Sequence, residues 1–126
     1  MKKIIQTPSA PNPMGPYSQA VQHGNMLFIS GQVAFDPANG ELVMDDIPSE
    51  TTQIMKNLKA ILEAADMDFS HVVKTSIFLA DINNFSTVNE VYGSYFDADT
   101  APARETSEVA NLPGLVNVEI SMIAMK

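Results

Sequence analysis

The chain has 126 residues, no cysteine and a formal net charge of −8 at pH 7. This length suits a single domain, predicted over residues 1–126, and the absence of cysteine excludes disulfides, thiolate chemistry and cysteine-based zinc sites. The acidic balance argues against nucleic-acid binding, and the lack of a secretory segment or of about 18 consecutive apolar residues predicts a soluble, cytoplasmic protein that does not cross a membrane.

The first part of the chain predicts an irregular arm followed by a hairpin. Four prolines between residues 8 and 16 disfavour both helix and strand pairing. Residues 18–23 and 26–30 then form two strand candidates around Gly24-Asn25, which is a hairpin turn signal. A turn cluster follows at residues 36–40, and an optional third strand precedes the first helix.

Two helices in the middle of the chain flank a buried strand. The first follows Pro48, begins at Ser49-Glu50 and carries an apolar stripe with helical spacing. That stripe comprises Ile54, Met55, Leu58, Ile61, Leu62 and Ala65. Residues 72–79 are apolar and β-branched, which predicts a strand. The second helix is expected over residues 84–96 with Asp81 or Asn83 as its cap. Its apolar face comprises Phe85, Val88, Val91, Tyr92, Tyr95 and Phe96.

Two further strands, at residues 105–109 and 116–125, complete the pattern. The order β-β-(β)-α-β-α-β-β predicts an α+β fold, in which two helices cover one face of a mostly antiparallel sheet.

Alternation of side chains along the last two strands predicts what the helix-free face carries. If Val109 faces the helices, then Arg104, Thr106 and Glu119 all project from the opposite side. Ile123 shares that side, and a mixture of charge with apolar groups there suggests coverage by a neighbouring subunit. Arg104 beside Glu119 would favour the ionised carboxylate, so we expect Glu119 to lose its charge only at acidic pH.

Arg104 is the single arginine of the sequence, among seven Lys and Arg residues in total. A lone arginine has two interpretations. It forms a surface salt bridge, or it supplies a planar fork that grips a carboxylate or phosphate through two parallel hydrogen bonds, which lysine does not reproduce.

An ordered set of short motifs resembles the reactive intermediate deaminase family, RidA (also called YjgF). The match begins with Gly15-Pro16-Tyr17-Ser18-Gln19-Ala20, Ser30-Gly31-Gln32-Val33 and Asp36-Pro37 with Gly40-Glu41-Leu42-Val43. It continues through Val73-Lys74-Thr75, Phe85, Val88-Asn89 and Tyr92, and ends with Pro102-Ala103-Arg104, Val109-Ala110, Leu112-Pro113 and Val118-Glu119-Ile120. The resemblance covers nearly the whole chain in order.

The resemblance implies a chorismate-mutase-like fold assembled as a homotrimer, with pockets between subunits. It also implies hydrolysis of 2-imino acids or enamines, such as 2-iminobutanoate and 2-iminopropanoate, to 2-keto acids and ammonia without a cofactor or metal. Arg104 would then hold the substrate carboxylate, and Glu119 would position or activate water. The residues implied to line the pocket are Tyr17, Ser30, Gly31, Asn89 and Thr106.

Three positions depart from the family pattern. Thr106 stands where many members have cysteine, which argues against a required thiol nucleophile. Glu105 follows the arginine where small residues are common; it has the charge to neutralise Arg104, although strand alternation places it on the other face. Ala101 replaces an aromatic residue and widens one predicted pocket wall. These departures leave the substrate preference open.

Several alternatives stay open from the sequence. His23 and His71 lack further ligands at metal spacing, so surface or capping roles are favoured over metal binding. Tyr17 taken alone is a packing ring. The main alternative function is a non-catalytic protein of the same fold that binds keto acids or related carboxylates, since both functions use Arg104 and only the enzyme needs Glu119. RNA cleavage, proposed for some relatives, is disfavoured by the acidic charge.

Overall fold

The predicted hairpin is present, and an additional strand is added to it. In the computed structural model, which describes residues 1–126, β2 (Ala20–His23) and β3 (Met26–Gln32) pair antiparallel around Gly24, whose φ of +60° suits the turn. β1 (Lys2–Ile5), which the sequence analysis did not predict, pairs with β2. The optional third strand is reduced to an isolated bridge between Phe35 and Leu42.

The first helix, α1 (Ile47–Ala64), begins two residues earlier than predicted. Asp46 is its N-cap, because its carboxylate accepts a hydrogen bond of 2.7 Å from the Ser49 backbone N–H, and Pro48 lies in the first turn where it blocks no hydrogen bond. The six predicted stripe residues are all buried, as expected.

The second helix, α2 (Phe85–Gly93), is shorter than predicted at its C-terminal end. Asp81 caps a 3₁₀ turn over residues 82–84 that leads into it, by accepting from the Asn83 N–H. Val88 and Tyr92 are buried, whereas Phe85 stays partly exposed.

Six strands form one mixed sheet in the order β1-β2-β3-β6-β4-β5. The remaining strands are β4 (Val72–Leu79), β5 (Ala103–Glu108) and β6 (Val118–Met125). β6 is central and antiparallel to both neighbours, and β5 is an edge strand that runs parallel to β4. As predicted, alternate residues of β6 are buried beneath the helices: Val118, Ile120, Met122 and Ala124.

The prediction that Arg104, Thr106 and Glu119 share the helix-free face is wrong. In the parallel pairing of β4 and β5, Arg104 lies beside Thr75 and Thr106 beside Ile77, and those two β4 residues are buried under the helices. Glu119 pairs with Phe78 and points to the opposite face. β5 therefore carries Arg104 and Thr106 on the helix side of the sheet.

Candidate functional site

A cavity of about 510 Å³ opens beside the start of β6. One wall is formed by residues 11–14, which are part of the proline-rich arm, and another by the turn at Pro113-Gly114. Four residues assigned to the site from the family resemblance line this cavity together: Tyr17, Ser30, Gly31 and Glu119. Arg104, Asn89 and Thr106 are not among its lining residues.

Gly31 allows the Glu119 side chain to lie against the backbone of β3. The register of β3 on β6 shifts between Ile29 and Gln32, which places Ser30-Gly31 in a bulge. A Cβ added to Gly31 would lie 2.8 Å from Cδ of Glu119 and 3.0 Å from its Oε2. Any side chain at residue 31 would thus displace the carboxylate.

Glu119 is the only carboxylate among the residues that line the cavity. Burial raises the pKa of its carboxyl group above the usual value. The expectation that Arg104 lowers this pKa is wrong for the single chain, because the guanidinium lies on the other face of the sheet. The raised pKa lies closer to neutral pH, and a general base works best when its pKa is near the pH at which the reaction runs.

Two other cavity residues have their polar groups partly engaged. Ser30 Oγ donates a hydrogen bond of 2.6 Å to the Ser18 carbonyl, so its proton is used by the fold. Tyr17 Oη accepts from the Met14 N–H at 3.3 Å, and its own O–H proton stays free to donate. The ring of Tyr17 is half exposed at the mouth of the cavity.

The second cluster surrounds Arg104 on the edge strand. Its Nη1 donates to Asn89 Oδ1 at 2.7 Å, and its Cζ lies 5.7 Å and 5.2 Å from the ring centroids of Phe85 and Tyr92. These contacts orient the guanidinium by cation–π attraction and one hydrogen bond. Arg104 is exposed and forms neither of the chain's two ion pairs, so the surface salt bridge considered above is absent.

Thr106 completes this cluster. Its Oγ1 is the one buried side-chain oxygen or nitrogen in the protein that has no hydrogen-bond partner. A buried hydroxyl without a partner is costly, which makes it a natural contact for a group supplied from outside the chain.

Strand alternation predicted that Glu105 lies on the other face from Arg104, and Glu105 indeed does not pair with Arg104. Its carboxylate lies 3.1 Å from Lys74 Nζ and accepts a hydrogen bond from Ser76 Oγ. The bond from Ser76 and, next, the interactions with Lys74 hold the pKa of Glu105 below its usual range. The charge of Arg104 therefore stays available.

The two clusters are separate in one chain. β4 lies between β5 and β6, so Thr106 and Glu119 stand on strands about 10 Å apart. They also face opposite sides of the sheet. Arg104 and Glu119 have no route to one small substrate within a single copy.

Three buried polar residues fix the backbone in the cavity walls or next to them, and the sequence analysis missed these roles. Gln19 bonds to the backbone of the proline-rich arm at Thr7, Ala10 and Pro11. Asn57 Nδ2 donates to the carbonyls of Val33 and Phe35, and Glu50 accepts from Asn117 and Val118. A signal existed for two of them, because Glu50 and Asn57 fall on the apolar stripe of α1 at helical spacing.

No group of three or more His, Cys, Asp and Glu side chains is arranged to hold a metal ion. His71 Nδ1 instead accepts from the Asp68 backbone N–H in a capping box, which is the capping role favoured from the sequence. None of the helices combines the length and apolar character that crossing a bilayer requires.

The sheet, the helices and the lined cavity define a small α+β protein of the class that holds small molecules in a surface pocket. A family model described as Endoribonuclease L-PSP matches residues 7–126. The chain therefore belongs to this family, which is the YjgF/RidA family, as the sequence resemblance predicted.

The chain is similar in sequence to relatives of nearly equal length. A RutC family protein of Pyrococcus horikoshii is 49% identical over 126 residues, covering 100% of this chain and 99% of the relative. The 2-iminobutanoate/2-iminopropanoate deaminase of Mus musculus is also 49% identical over 126 residues, covering 100% and 93%.

Solved structures agree with the fold. The Rid-family protein YyfA of Yersinia pestis superposes with a TM-score of 0.96 at 44% identity, covering 100% of both chains. The structure of Escherichia coli TdcF with bound serine has a TM-score of 0.92 at 40% identity, covering 98% of both chains.

Proposed function

We propose that the protein hydrolyses reactive 2-imino acids, or their enamine tautomers, to 2-keto acids and ammonia. One observation carries this proposal: an oriented guanidinium without a carboxylate partner and a cavity with one raised-pKa carboxyl group occur in the same small chain. A 2-imino acid needs both, because its carboxylate suits the fork of Arg104 and its imine carbon needs a water activated by Glu119. The deaminase name of the mouse relative supports 2-iminobutanoate and 2-iminopropanoate as substrates.

The proposed reaction uses only water. Glu119 accepts a proton as water adds to the imine carbon, and the new C–O bond gives a tetrahedral carbinolamine. Glu119 returns this proton to the nitrogen and then transfers the hydroxyl proton of the carbinolamine to it, so the nitrogen becomes a protonated amine. The C–N bond then breaks, its electron pair leaves with the nitrogen as ammonia, and the C–O bond becomes the carbonyl of the 2-keto acid. The free O–H of Tyr17 is a second proton donor at the same cavity. Holding the substrate carboxylate keeps the imine carbon beside the water throughout.

We further propose that the working form is a homotrimer in which Arg104 of one subunit meets the Glu119 cavity of the next. The two clusters are incomplete separately, and the unpartnered Thr106 hydroxyl lies on an open edge strand. The helix-free sheet face also leaves Ile4 at 49% and Phe28 at 43% exposed, which is apolar surface suited to burial against another subunit.

The structure of TdcF with bound serine supports a small carboxylate as the ligand. The same structure is equally compatible with the second candidate function, non-catalytic carboxylate binding, since a protein that binds amino or keto acids without turnover needs the same anchor. We do not propose RNA cleavage, although the family model is described as an endoribonuclease, because a net charge of −8 with one arginine is unfavourable for binding RNA.

A coupled assay tests the hydrolysis directly. A threonine dehydratase generates 2-iminobutanoate, and keto acid formation is followed where free imine decay limits the rate. We expect the wild-type protein to accelerate this step and the Arg104→Ala variant to lose most of that acceleration. Binding of keto acid without acceleration would instead establish the carboxylate-binding alternative.

Mixing variants tests the shared site. Arg104→Ala and Glu119→Gln subunits alone should each have an activity about 10–100-fold or more below that of the wild type. Co-refolded at equal amounts, they should regain about one quarter of wild-type activity, since a quarter of the interfaces then pair an intact Arg104 with an intact Glu119. No recovery in mixed assemblies would place both residues of a working site in one subunit.

A further inference from the structure

Glu50 is a fully buried carboxylate, 0% exposed, in the first turn of α1. It takes part in neither of the chain's two ion pairs. The hydrogen bonds of its carboxylate go to Asn117, which directly precedes β6, and to Val118, the first residue of β6. Its Oε2 accepts from the backbone N–H groups of Asn117 at 2.9 Å and Val118 at 3.1 Å, and its Oε1 accepts from Asn117 Nδ2 at 2.8 Å.

A carboxylate buried without a cation is an expensive way to connect a helix to a strand. An apolar side chain would fill the same space at a lower desolvation cost, but it would leave two backbone N–H groups without acceptors. Hydrogen bonds to an ionised acceptor are shorter and stronger than neutral ones, so this arrangement fixes the backbone at Asn117 and Val118 more firmly.

We propose that Glu50 is a positioning residue for Glu119, which follows directly after the two residues that Glu50 holds. The catalytic part of this inference rests on the proposed imine hydrolysis. Glu50 touches neither cavity nor substrate and acts through the backbone of β6.

The geometry gives a short path from one carboxylate to the other. The Asn117 carbonyl also accepts from the Ala80 N–H at 3.0 Å, so Asn117 is fixed between α1 and the end of β4. Val118 is fully buried in the core, and the pleat of the strand then directs Glu119 to the opposite face, against Gly31. A loosened Asn117-Val118 segment would allow the Glu119 carboxyl group to move off Gly31 and into water.

The experiment compares Glu50→Ala with Glu50→Gln. Alanine removes every acceptor, whereas the amide oxygen of glutamine is able to accept from both backbone N–H groups. We expect Glu50→Ala to lower kcat about 10-fold with KM unchanged, because small misplacements of a reacting group are costly. Glu50→Gln should restore most of kcat. Thr51→Ala is the matched control, since Thr51 is equally buried and its hydroxyl bonds to Ile47 within α1.

A second readout does not depend on turnover. The titration of the Glu119 carboxyl group is followed by NMR, and Tyr17 is the only other titratable side chain among the residues lining the cavity. In Glu50→Ala the midpoint should move toward that of an exposed glutamate, and it should stay at the wild-type value in Thr51→Ala. If Glu50→Ala does not fold, Asn117→Ala, which removes only the bond to Nδ2, should give a smaller shift in the same direction.

The outcomes separate the two proposals. A wild-type protein without imine hydrolysis, in which Glu50→Ala or Asn117→Ala still moves the Glu119 titration, would overturn the function and support the positioning. A kcat and a Glu119 titration that stay at wild-type values in these variants, whatever happens to the melting temperature, would show that Glu50 only stabilises the fold.

Discussion

The Arg104 cluster and the Glu119 cavity are built in opposite ways. Arg104 lies exposed on an edge strand, and it is oriented by groups on one short helix. Glu119 is the second residue of the central strand β6 and lies against Gly31, and buried polar side chains connect the neighbouring backbone to the core. The first cluster has an unsatisfied hydroxyl and an unpaired charge, whereas the second has a desolvated carboxyl group.

This difference indicates where each half gets its rigidity. The cavity is already formed in a single chain, because the buried polar side chains that hold the backbone around it belong to the core. The Arg104 half is oriented but open, and in the proposed trimer it gains its remaining partners from another subunit. Under the proposed function, the cavity half performs the chemistry and the arginine half captures the carboxylate.

The largest effect should come from the chemical half. Glu119→Gln keeps the shape of the side chain but does not accept a proton at the working pH, so kcat for imine hydrolysis should fall about 10²–10⁴-fold. Keto acid binding, measured by calorimetry, should persist because Arg104 is intact. Hydrolysis at the wild-type rate by Glu119→Gln would mean that water is activated by another group.

The capture half should be sensitive to geometry rather than charge. Arg104→Lys should lose about 10–100-fold in kcat/KM and resemble Arg104→Ala, because lysine keeps the charge and loses the paired hydrogen bonds. Steady-state kinetics on both variants makes the comparison. Activity near wild type in Arg104→Lys would show that a positive charge alone suffices.

Gly31→Ala tests the packing beneath the carboxylate. The three atoms nearest to the new Cβ all belong to the flexible side chain of Glu119, so stability should change by about 0.5 kcal/mol or less while kcat falls about 10-fold. Gly93→Ala is the matched control, as nothing lies within 4 Å of its added Cβ. Equal kcat values for the two variants would contradict the placement of Glu119 by Gly31.

The smallest effect concerns pH and stability. Because burial raises the pKa of Glu119 in the folded state, the folded protein binds more protons between its unfolded and folded pKa values, and its stability falls as pH rises through that window. Glu119→Gln should therefore melt at a higher temperature than wild type above the window and lose that advantage below it. The gain should be larger in an Arg104→Ala background if a neighbour's Arg104 normally stabilises the ionised carboxylate. Identical gains in both backgrounds would argue that the two halves do not meet.

The sequence predicted the regular elements where one face carries a clear apolar pattern. The stripe of α1, the strand at residues 72–79 and the buried face of β6 were all read correctly, because core burial imposes a strong period on them. Of the seven residues that the family motifs assigned to one site, four line the cavity and the other three lie in the Arg104 cluster.

The face of β5 was not readable in the same way. No residue of this edge strand is fully buried, so its sequence pattern does not show which alternate residues face the helices. Val109, which served as the reference for that assignment, lies one residue beyond the end of the strand. Parallel pairing with β4 decides the orientation of Arg104, and pairing is a long-range property. The roles of Glu50 and Asn57 were missed for a related reason, since the acceptors and donors that they meet are more than 20 residues away in the chain.

The open edge at β5 has one more consequence, for the fate of a subunit that has not yet found its partners. An uncovered edge strand is a template onto which another chain can add a strand, and charged side chains are a common protection against this. Arg104, Glu105 and Glu108 are all exposed on β5. The residue proposed to capture substrate thus also belongs to a charged border of the kind that protects an exposed edge strand from pairing with another chain.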